Sequence, residues 1–284
     1  MKTPRLLFLL ILLSPGTFGQ AVQARLHETV DIPSENLHLK GFFWKPAGPG
    51  PFPAIMFIHG SGEADTARTS GMLMTDAAER LAPVFLKHGY AFLYGFRRGQ
   101  GPSIGQGDAL QDLLKQEELA NGKDARQVLQ FHLMNTDQIA DAIEALSVLK
   151  RLPDIDAARI AIVGHSFGGQ LALLAAGGDS SVRAVVTFGA AAYSWQRSPP
   201  LREQLTAIVR STYVPIMLIH AANDYDTSAG RALAREAEQS HKINILKIYP
   251  PFGQSQDDGH NMIYDAIPLW EADVLNFLDE HVKH

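Results

Sequence analysis

A serine between glycines is the residue of this sequence best placed to do chemistry. The segment Gly164-His165-Ser166-Phe167-Gly168 matches the pattern G-x-S-x-G, in which a serine occupies a sharp turn between a strand and a helix. Glycines are needed there because a Cβ would collide with neighbouring backbone. Apolar residues at 160–163 predict a buried strand before the serine, and residues 170–176 predict a buried helix after it. The pattern therefore predicts Ser166 as a nucleophile.

A serine hydroxyl reacts only when a base takes its proton and a third group orients that base. The acid is sought after the strand predicted at 215–220, where Asp224 follows four residues later. The alternative is that Asp224 lies in a solvated turn or caps the helix predicted from Ser228, a place to which Asp226 is nearer. We expect Asp224 to be the acid.

The base is expected in the segment between the last predicted strand, at 243–249, and the last predicted helix. His260 is the only histidine there, among eleven in the chain, and it follows a glycine. A flexible loop over 250–260 could return its imidazole to Ser166. We therefore predict a triad of Ser166, Asp224 and His260, in which the His260 imidazole takes the proton of the serine hydroxyl.

Acyl transfer also needs two backbone N–H groups for the oxyanion of the tetrahedral intermediate. Phe167 follows the serine and is predicted to supply one. The segment His59-Gly60-Ser61-Gly62 follows the strand predicted at 54–58 and is predicted to supply the other from Ser61, with Gly60 as the next candidate. The alternative is a simple glycine turn after a strand.

The elements that must position these groups alternate along the chain. Strands are predicted at 36–44, 54–58, 90–94, 160–163, 182–188, 215–220 and 243–249, and helices at 72–87, in a long region ending at Leu149, and at 166–176, 201–209, 228–237 and 263–282. Such alternation predicts an α/β fold, a mainly parallel sheet with helices on both faces. In such a sheet, reactive groups belong at the carboxyl ends of the strands.

On these motifs the chain resembles the α/β-hydrolase superfamily, and within it the dienelactone hydrolase and prolyl-oligopeptidase-like branch. The resemblance also includes the segments 96–103 and 154–169. It implies an α/β-hydrolase fold with a sheet of the eight-stranded type, in one domain over residues 25–284. The chain departs from the branch in two ways. Dienelactone hydrolases proper use a cysteine, of which this chain has none, and prolyl oligopeptidases carry a propeller domain for which it has no room.

The implied activity is that of a stand-alone serine hydrolase, with carboxylic esters as the first hypothesis. A small peptidase or amidase, or an acyltransferase, could use the same triad, and a non-catalytic binding protein could use the same fold. Tyr193 and Trp195 follow the strand at 182–188 and are predicted to line the substrate pocket. Residues 106–132 are predicted either to form a small helical cap or to pack as a helix on the sheet.

The amino terminus predicts export. Lys2 and Arg5 precede the apolar run 6–13, and small residues follow as far as Ala24, as in a secretory signal peptide over residues 1–24. Cleavage after Ala24 fits this pattern, and Gly19 and Ala21 are alternatives. Without cysteine there is neither a lipid attachment site nor a disulfide. We expect a bacterial periplasmic or secreted protein.

Composition excludes several function classes. The 284 residues carry a net charge of −5, which gives no basic field for nucleic acid. No later stretch is long and apolar enough to span a membrane. Metal-ligand spacings such as His-Glu-x-x-His are absent, so we expect neither a metal nor a cofactor, and a small-molecule ester is the expected partner.

Overall fold

The structure is a computed structural model that describes residues 27–62 and 72–284. The predicted signal peptide lies outside the described residues. The described residues contain eight strands, which are β1 Glu28–Ser34, β2 Leu37–Trp44, β3 Phe52–Ile58, β4 Ala91–Phe96, β5 Ile155–His165, β6 Val182–Phe188, β7 Ile216–Ala221 and β8 Asn244–Tyr249. They form one sheet in the order β1-β2-β4-β3-β5-β6-β7-β8, in which β2 is antiparallel to both neighbours and all pairs from β4 to β8 are parallel. The predicted eight-stranded, mainly parallel sheet is confirmed.

Ten α-helices connect the described strands and complete the chain. They are α1 Met74–Leu86, α2 Leu110–Asn121, α3 Lys123–Leu133, α4 Ile139–Arg151, α5 Phe167–Gly178, α6 Pro199–Ser211, α7 Ser228–Gln239, α8 Gln256–His260, α9 Met262–Asp265 and α10 Ile267–Val282. A short 3-10 helix lies at Gly101–Ser103, and a π-helical turn at Met134–Gln138 joins α3 to α4.

The hydrophobic core forms two layers because side chains of the central strands alternate between the faces of the sheet. Along β3, Met56 points into the layer that holds α4 to α7, whereas Phe57 points into the layer that holds α1 and α10. Trp270 of α10 is fully buried in the second layer. The central strands are thus covered on both faces, as a parallel sheet requires.

The strand order places a crevice between β3 and β5. The chain moves from β3 to β4 on one side, then crosses over to β5 on the other side of β3. Loops that leave adjacent strands in opposite directions open a cleft at the carboxyl ends of those strands, where ligands bind in open α/β sheets. The loop after β3 and the turn after β5, which carries Ser166, lie on either side of this point.

Two elements differ from the sequence-based expectation. The strand β1 was not predicted, although Val30, Ile32 and Ser34 alternate as buried residues along it. The predicted final helix is in fact two helices, α9 and α10, because Pro268 is accepted in the first turn of α10 and would disrupt a helix interior.

A buried ion pair joins the first strand to the rest of the fold. The Asp141 carboxylate of α4 accepts hydrogen bonds from the Arg98 guanidinium at 2.8 and 3.0 Å, from the Arg98 backbone N–H, and from the Ser34 hydroxyl at 2.7 Å. Its side chain is fully buried, whereas Asp137, which contacts Arg98 at 3.0 Å, is 38% exposed. Asp141 therefore holds the end of β1, the loop after β4 and α4 together.

We expect Asp141→Ala to lower the free energy of unfolding by about 3–5 kcal/mol, because it leaves a buried guanidinium without its main partner. The measurement is urea unfolding followed by circular dichroism. Asp137→Ala is the control, since it removes a partly exposed partner of the same Arg98, and we expect it to cost about 1 kcal/mol or less. Equal losses in the two variants would contradict this account.

Candidate active site

Ser166 stands at a strained turn between β5 and α5. Its backbone has φ 55°, a left-handed value that is unfavourable for a residue with a Cβ. Its N–H bonds to the Phe188 carbonyl at 2.7 Å, which ties the turn to the end of β6. A Cβ on Gly168 would overlap the Ile58 carbonyl oxygen, and one on Gly164 would overlap the Gly168 carbonyl. The turn can therefore form only with glycine at both positions.

The structure brings the three predicted triad residues into one hydrogen-bonded chain. His260 Nε2 lies 2.8 Å from Ser166 Oγ, and His260 Nδ1 lies 2.7 Å from Asp224 Oδ1. Asp226, the competing acid, instead accepts hydrogen bonds from the backbone N–H and the hydroxyl of Ser228 at the start of α7. Asp224 is thus the carboxylate that contacts the imidazole.

A second histidine, which sequence reasoning missed, contacts the same carboxylate. His220, at the end of β7, lies with its Nδ1 2.8 Å from Asp224 Oδ2, and the Tyr225 N–H donates to Oδ1 at 2.7 Å. Burial alone would raise the pKa of Asp224, but the hydrogen bonds from His220 and His260 outweigh it and lower the pKa to about 2. Asp224 is therefore ionised at neutral pH.

Glycine makes room for this second imidazole. A Cβ on Gly230 of α7 would lie 2.7 Å from Nε2 of the fully buried His220 ring. The signal in the sequence is a histidine at the end of a strand four residues before the acid, with a glycine in the next helix. The ring fixes one carboxylate oxygen of Asp224 and leaves the other to His260.

The segment that carries His260 is more ordered than a flexible loop. It forms the short helix α8, which Ser255 and Asp258 cap reciprocally. The Asn223 side chain donates to the Phe252 and Ser255 carbonyls at 2.8 and 2.7 Å and accepts from the Phe252 N–H. The expectation of a flexible loop is therefore wrong, because a capping box and an amide clamp hold the segment.

His165, the residue before the nucleophile, also holds this segment in place. Its Nε2 lies 2.9 Å from the His260 carbonyl, which can only accept, and its Nδ1 lies 3.3 Å from the Tyr264 hydroxyl. Burial, reinforced by the neighbouring His260, lowers the pKa of His165 to about 3. The ring is thus a neutral donor at Nε2, and it links the serine turn to the backbone of the base.

The predicted oxyanion loop is fixed by its carbonyl groups. Arg97, which is buried, donates to the His59 and Gly60 carbonyls at 2.7 Å each and to Gln138 at 2.8 Å. The His59 ring donates from Nδ1 to the Gly60 carbonyl at 2.8 Å. In a trans peptide the N–H points away from the carbonyl, so these bonds also fix the direction of the Ser61 N–H.

The second predicted donor, the Phe167 N–H, lies at the first residue of α5. The first N–H groups of a helix have no acceptor within the helix, and they favour negative charge. Both Ser61 and Phe167 line the cleft that contains Ser166 and His260. The guanidinium of Arg97 lies 5.6 Å from the centre of the Phe167 ring, on the side of the oxyanion loop.

The cleft has a volume of about 440 Å³, within the range of small-molecule sites. Helices α2 and α3 contribute Gln111, Arg126 and Gln130 to its lining. Tyr193 lines the cleft as predicted, but Trp195 does not. Trp195 is 6% exposed and packs in the core layer under α5 and α6, so its assignment to the pocket is corrected.

Within residues 27–62 and 72–284, no group of three or more histidine and carboxylate side chains is arranged so that it could hold a metal ion. No helix over the same residues is long and apolar enough to cross a membrane. The chemical capacity of the site lies in a serine hydroxyl that can pass its proton to an imidazole held by a carboxylate.

Comparison with known proteins identifies a family. The family model "Dienelactone hydrolase family" matches residues 74–273, which is well over half of the chain and includes Ser166, Asp224 and His260. No curated protein sequence matches the chain significantly.

Three similar solved structures show the same fold. A dienelactone hydrolase from Anabaena variabilis is 20% identical, with 90% of this chain and 98% of that chain covered and a TM-score of 0.59. A Pyrococcus furiosus esterase is 16% identical, with 91% and 92% covered and a TM-score of 0.61. A Pyrococcus horikoshii acylaminoacyl peptidase is 16% identical at a TM-score of 0.64, with 91% of this chain covered. The chain spans only 42% of that peptidase's length. The predicted α/β-hydrolase fold is confirmed.

The contact between His220 and Asp224 predicts an effect on both activity and stability. His220→Phe keeps a ring but removes the donor, so we expect Asp224 to turn away from His260 and kcat/KM to fall between about 10- and 100-fold. The matched variant is His220→Asn, whose side-chain amide can donate from near the position of Nδ1. We expect it to restore most of the activity, and equal losses in both variants would contradict a positioning role.

The variant His220→Phe also tests how the free energy of unfolding depends on pH. Because the native pKa of Asp224 is about 2, below its ordinary 3.8, its ionisation stabilises the fold above about pH 4, and this contribution is lost as the pH falls towards 2. Without the His220 donor the pKa of Asp224 rises and this contribution shrinks. Urea unfolding at about pH 4.5, 3.5 and 2.5 measures the free energy of unfolding of both proteins. The difference between wild type and His220→Phe should become smaller as the pH falls. A constant difference would contradict the assignment.

Proposed function

The chain belongs to the dienelactone hydrolase family, and we propose that it is a serine hydrolase that cleaves carboxylic esters through an acyl-enzyme. Family membership identifies it as a hydrolase. The observation that carries the finer proposal is the pair of contacts at His260, 2.8 Å to Ser166 Oγ and 2.7 Å to Asp224 Oδ1. Distances of this size allow direct proton transfer from the hydroxyl to the imidazole.

Each step of the proposed reaction has a group to perform it. Ser166 Oγ attacks the ester carbonyl carbon while its proton passes to His260 Nε2, and the Ser61 and Phe167 N–H groups bind the oxyanion. When the tetrahedral intermediate collapses, the bond to the alcohol oxygen breaks and that oxygen takes the proton from His260. Water then attacks the acyl-enzyme, gives a proton to His260, and releases the acid as Ser166 regains its proton.

The serine is the departure from the cysteine of dienelactone hydrolases proper, and it makes the base more important. A thiol is partly ionised near neutral pH, whereas a hydroxyl is a poor nucleophile until a base accepts its proton. Asp224, with its pKa of about 2, is charged throughout the neutral range and can stabilise the imidazolium that forms. This favours catalysis by serine over a non-catalytic role on the same fold.

The proposal predicts that the mature chain hydrolyses p-nitrophenyl acetate, butyrate and octanoate to differing extents. Ser166→Ala should lower kcat by at least about 10³-fold, because the attacking oxygen is lost. Ser211→Ala, at the exposed end of α6, is the control. Amide and acyl-acceptor alcohol substrates in the same assay test the peptidase, amidase and acyltransferase alternatives. Absence of turnover, together with equal rates for Ser166→Ala, would favour the non-catalytic alternative.

We also propose that the protein is exported, on the basis of the charged, apolar and small residues over 1–24. Expression of the full chain in a bacterium should yield a periplasmic or secreted product that begins near residue 25, as read by N-terminal sequencing. A chain that lacks residues 1–24 should remain in the cytoplasm. Recovery of the uncut chain from the cytoplasm would refute export.

A further inference from the structure

We propose that the cleft takes an ester substrate with an uncharged hydrogen-bond donor, an amide N–H or a hydroxyl, on the part that reaches α3. The acceptor is Oε1 of Gln130. This inference rests on the proposed function and deepens it, because it names the class of group next to the reacting ester. A purely aliphatic substituent is the alternative that it excludes.

The first observation is an unpartnered acceptor on a residue that lines the cleft. Gln130 lies on α3, lines the cleft that contains Ser166, and is only 9% exposed. Its Oε1 is buried and has no hydrogen-bond partner among the residues that the structure describes. Buried polar atoms are nearly always paired, because leaving one unpaired forfeits its hydration. A ligand that donates to this atom, once the side-chain amide turns it towards the cleft, would remove that cost.

The second observation is that further polar side chains line the same cleft. Gln170, four residues after the serine, donates from Nε2 to the Ser194 hydroxyl at 3.1 Å, and both side chains are buried and line the cleft. Arg126 lies one helical turn before Gln130, on the same face of α3. An alkyl chain laid against these side chains would leave Gln130 Oε1 without a donor and would gain no hydrogen bond from them.

The charges around Gln130 favour an uncharged donor. The guanidinium of Arg126 would repel a cationic donor. Its charge is offset by Glu118, which lies 3.1 Å from Arg126 Nε, so the attraction for an anion is reduced. A carboxylate would also meet the lone pairs of Oε1, because both groups only accept hydrogen bonds. An amide or hydroxyl avoids each of these costs.

The test compares matched esters in two series. One series has p-nitrophenyl esters of alkanoic acids and of the corresponding ω-carboxamides. The other has acetates of alkanols and of the corresponding ω-hydroxyamides, so that the donor is presented from the acyl or the alcohol side. We expect the amide to exceed its alkyl partner in kcat/KM by about tenfold or more in at least one series, as in sites built to hydrogen-bond a substrate group.

Variants assign the preference to its residue. Gln130→Met keeps the length of the side chain without the acceptor and should bring the amide-to-alkyl ratio close to one. Gln130→Asn keeps the amide but shortens its reach, should reduce the ratio as well, and serves if the methionine variant does not fold. Gln127→Met is the matched control, since Gln127 lies on the same helix but does not line the cleft, and it should retain the ratio.

The outcomes separate this inference from the proposed function. Turnover of no ester at all would contradict the proposed function. Turnover in which alkyl esters match or exceed the amides in both series, or in which the preference survives Gln130→Met, would overturn the inference and leave the esterase standing. A preference for ω-carboxylates that is lost in Arg126→Met would also overturn it, because it would assign recognition to Arg126.

Discussion

The close approach of α5 to β3 is the constraint on which the site depends. Gly168 lies against the Ile58 carbonyl with no room for a Cβ, so α5 begins directly beside the end of β3. This approach requires the sharp turn that gives Ser166 its φ of 55°. The same turn brings the Phe167 N–H beside the loop that carries Ser61, at the point where the strand order reverses. The nucleophile and both predicted oxyanion donors thus follow from one packing contact.

Buried imidazoles fix the positions of the surrounding loops relative to this turn through hydrogen bonds. His59 bonds within the oxyanion loop and accepts from the Arg97 N–H at 3.3 Å, His165 bonds to the carbonyl of His260, and His220 bonds to Asp224. Burial, together with nearby Arg97, keeps the pKa of His59 well below its ordinary value, so its ring is neutral and both nitrogens have defined roles. Among the described residues, His260 is the histidine that contacts the serine hydroxyl.

The sequence predicted the sheet and the placement of Ser166, Asp224 and His260 because both rest on local signals, namely apolar runs, glycines and strand ends. It did not reveal the role of His165, because that role comes from a contact with a residue 95 positions along the chain. His220 was missed although it stands four residues before Asp224 at a strand end, because a buried histidine there can equally serve only in packing. Trp195 was misassigned because an aromatic residue after a strand can face either the cleft or the core. The break before α10 was readable from Pro268, but apolar periodicity alone conceals it.

The central claim is that Ser166 is a nucleophile activated by His260, and covalent labelling tests it most directly. A fluorophosphonate probe should add once per chain, and peptide mapping by mass spectrometry should locate the adduct on Ser166. In His260→Ala the rate of labelling should fall steeply, because no base accepts the hydroxyl proton. Labelling of a different residue, or labelling of Ser166 at an unchanged rate without His260, would contradict the account.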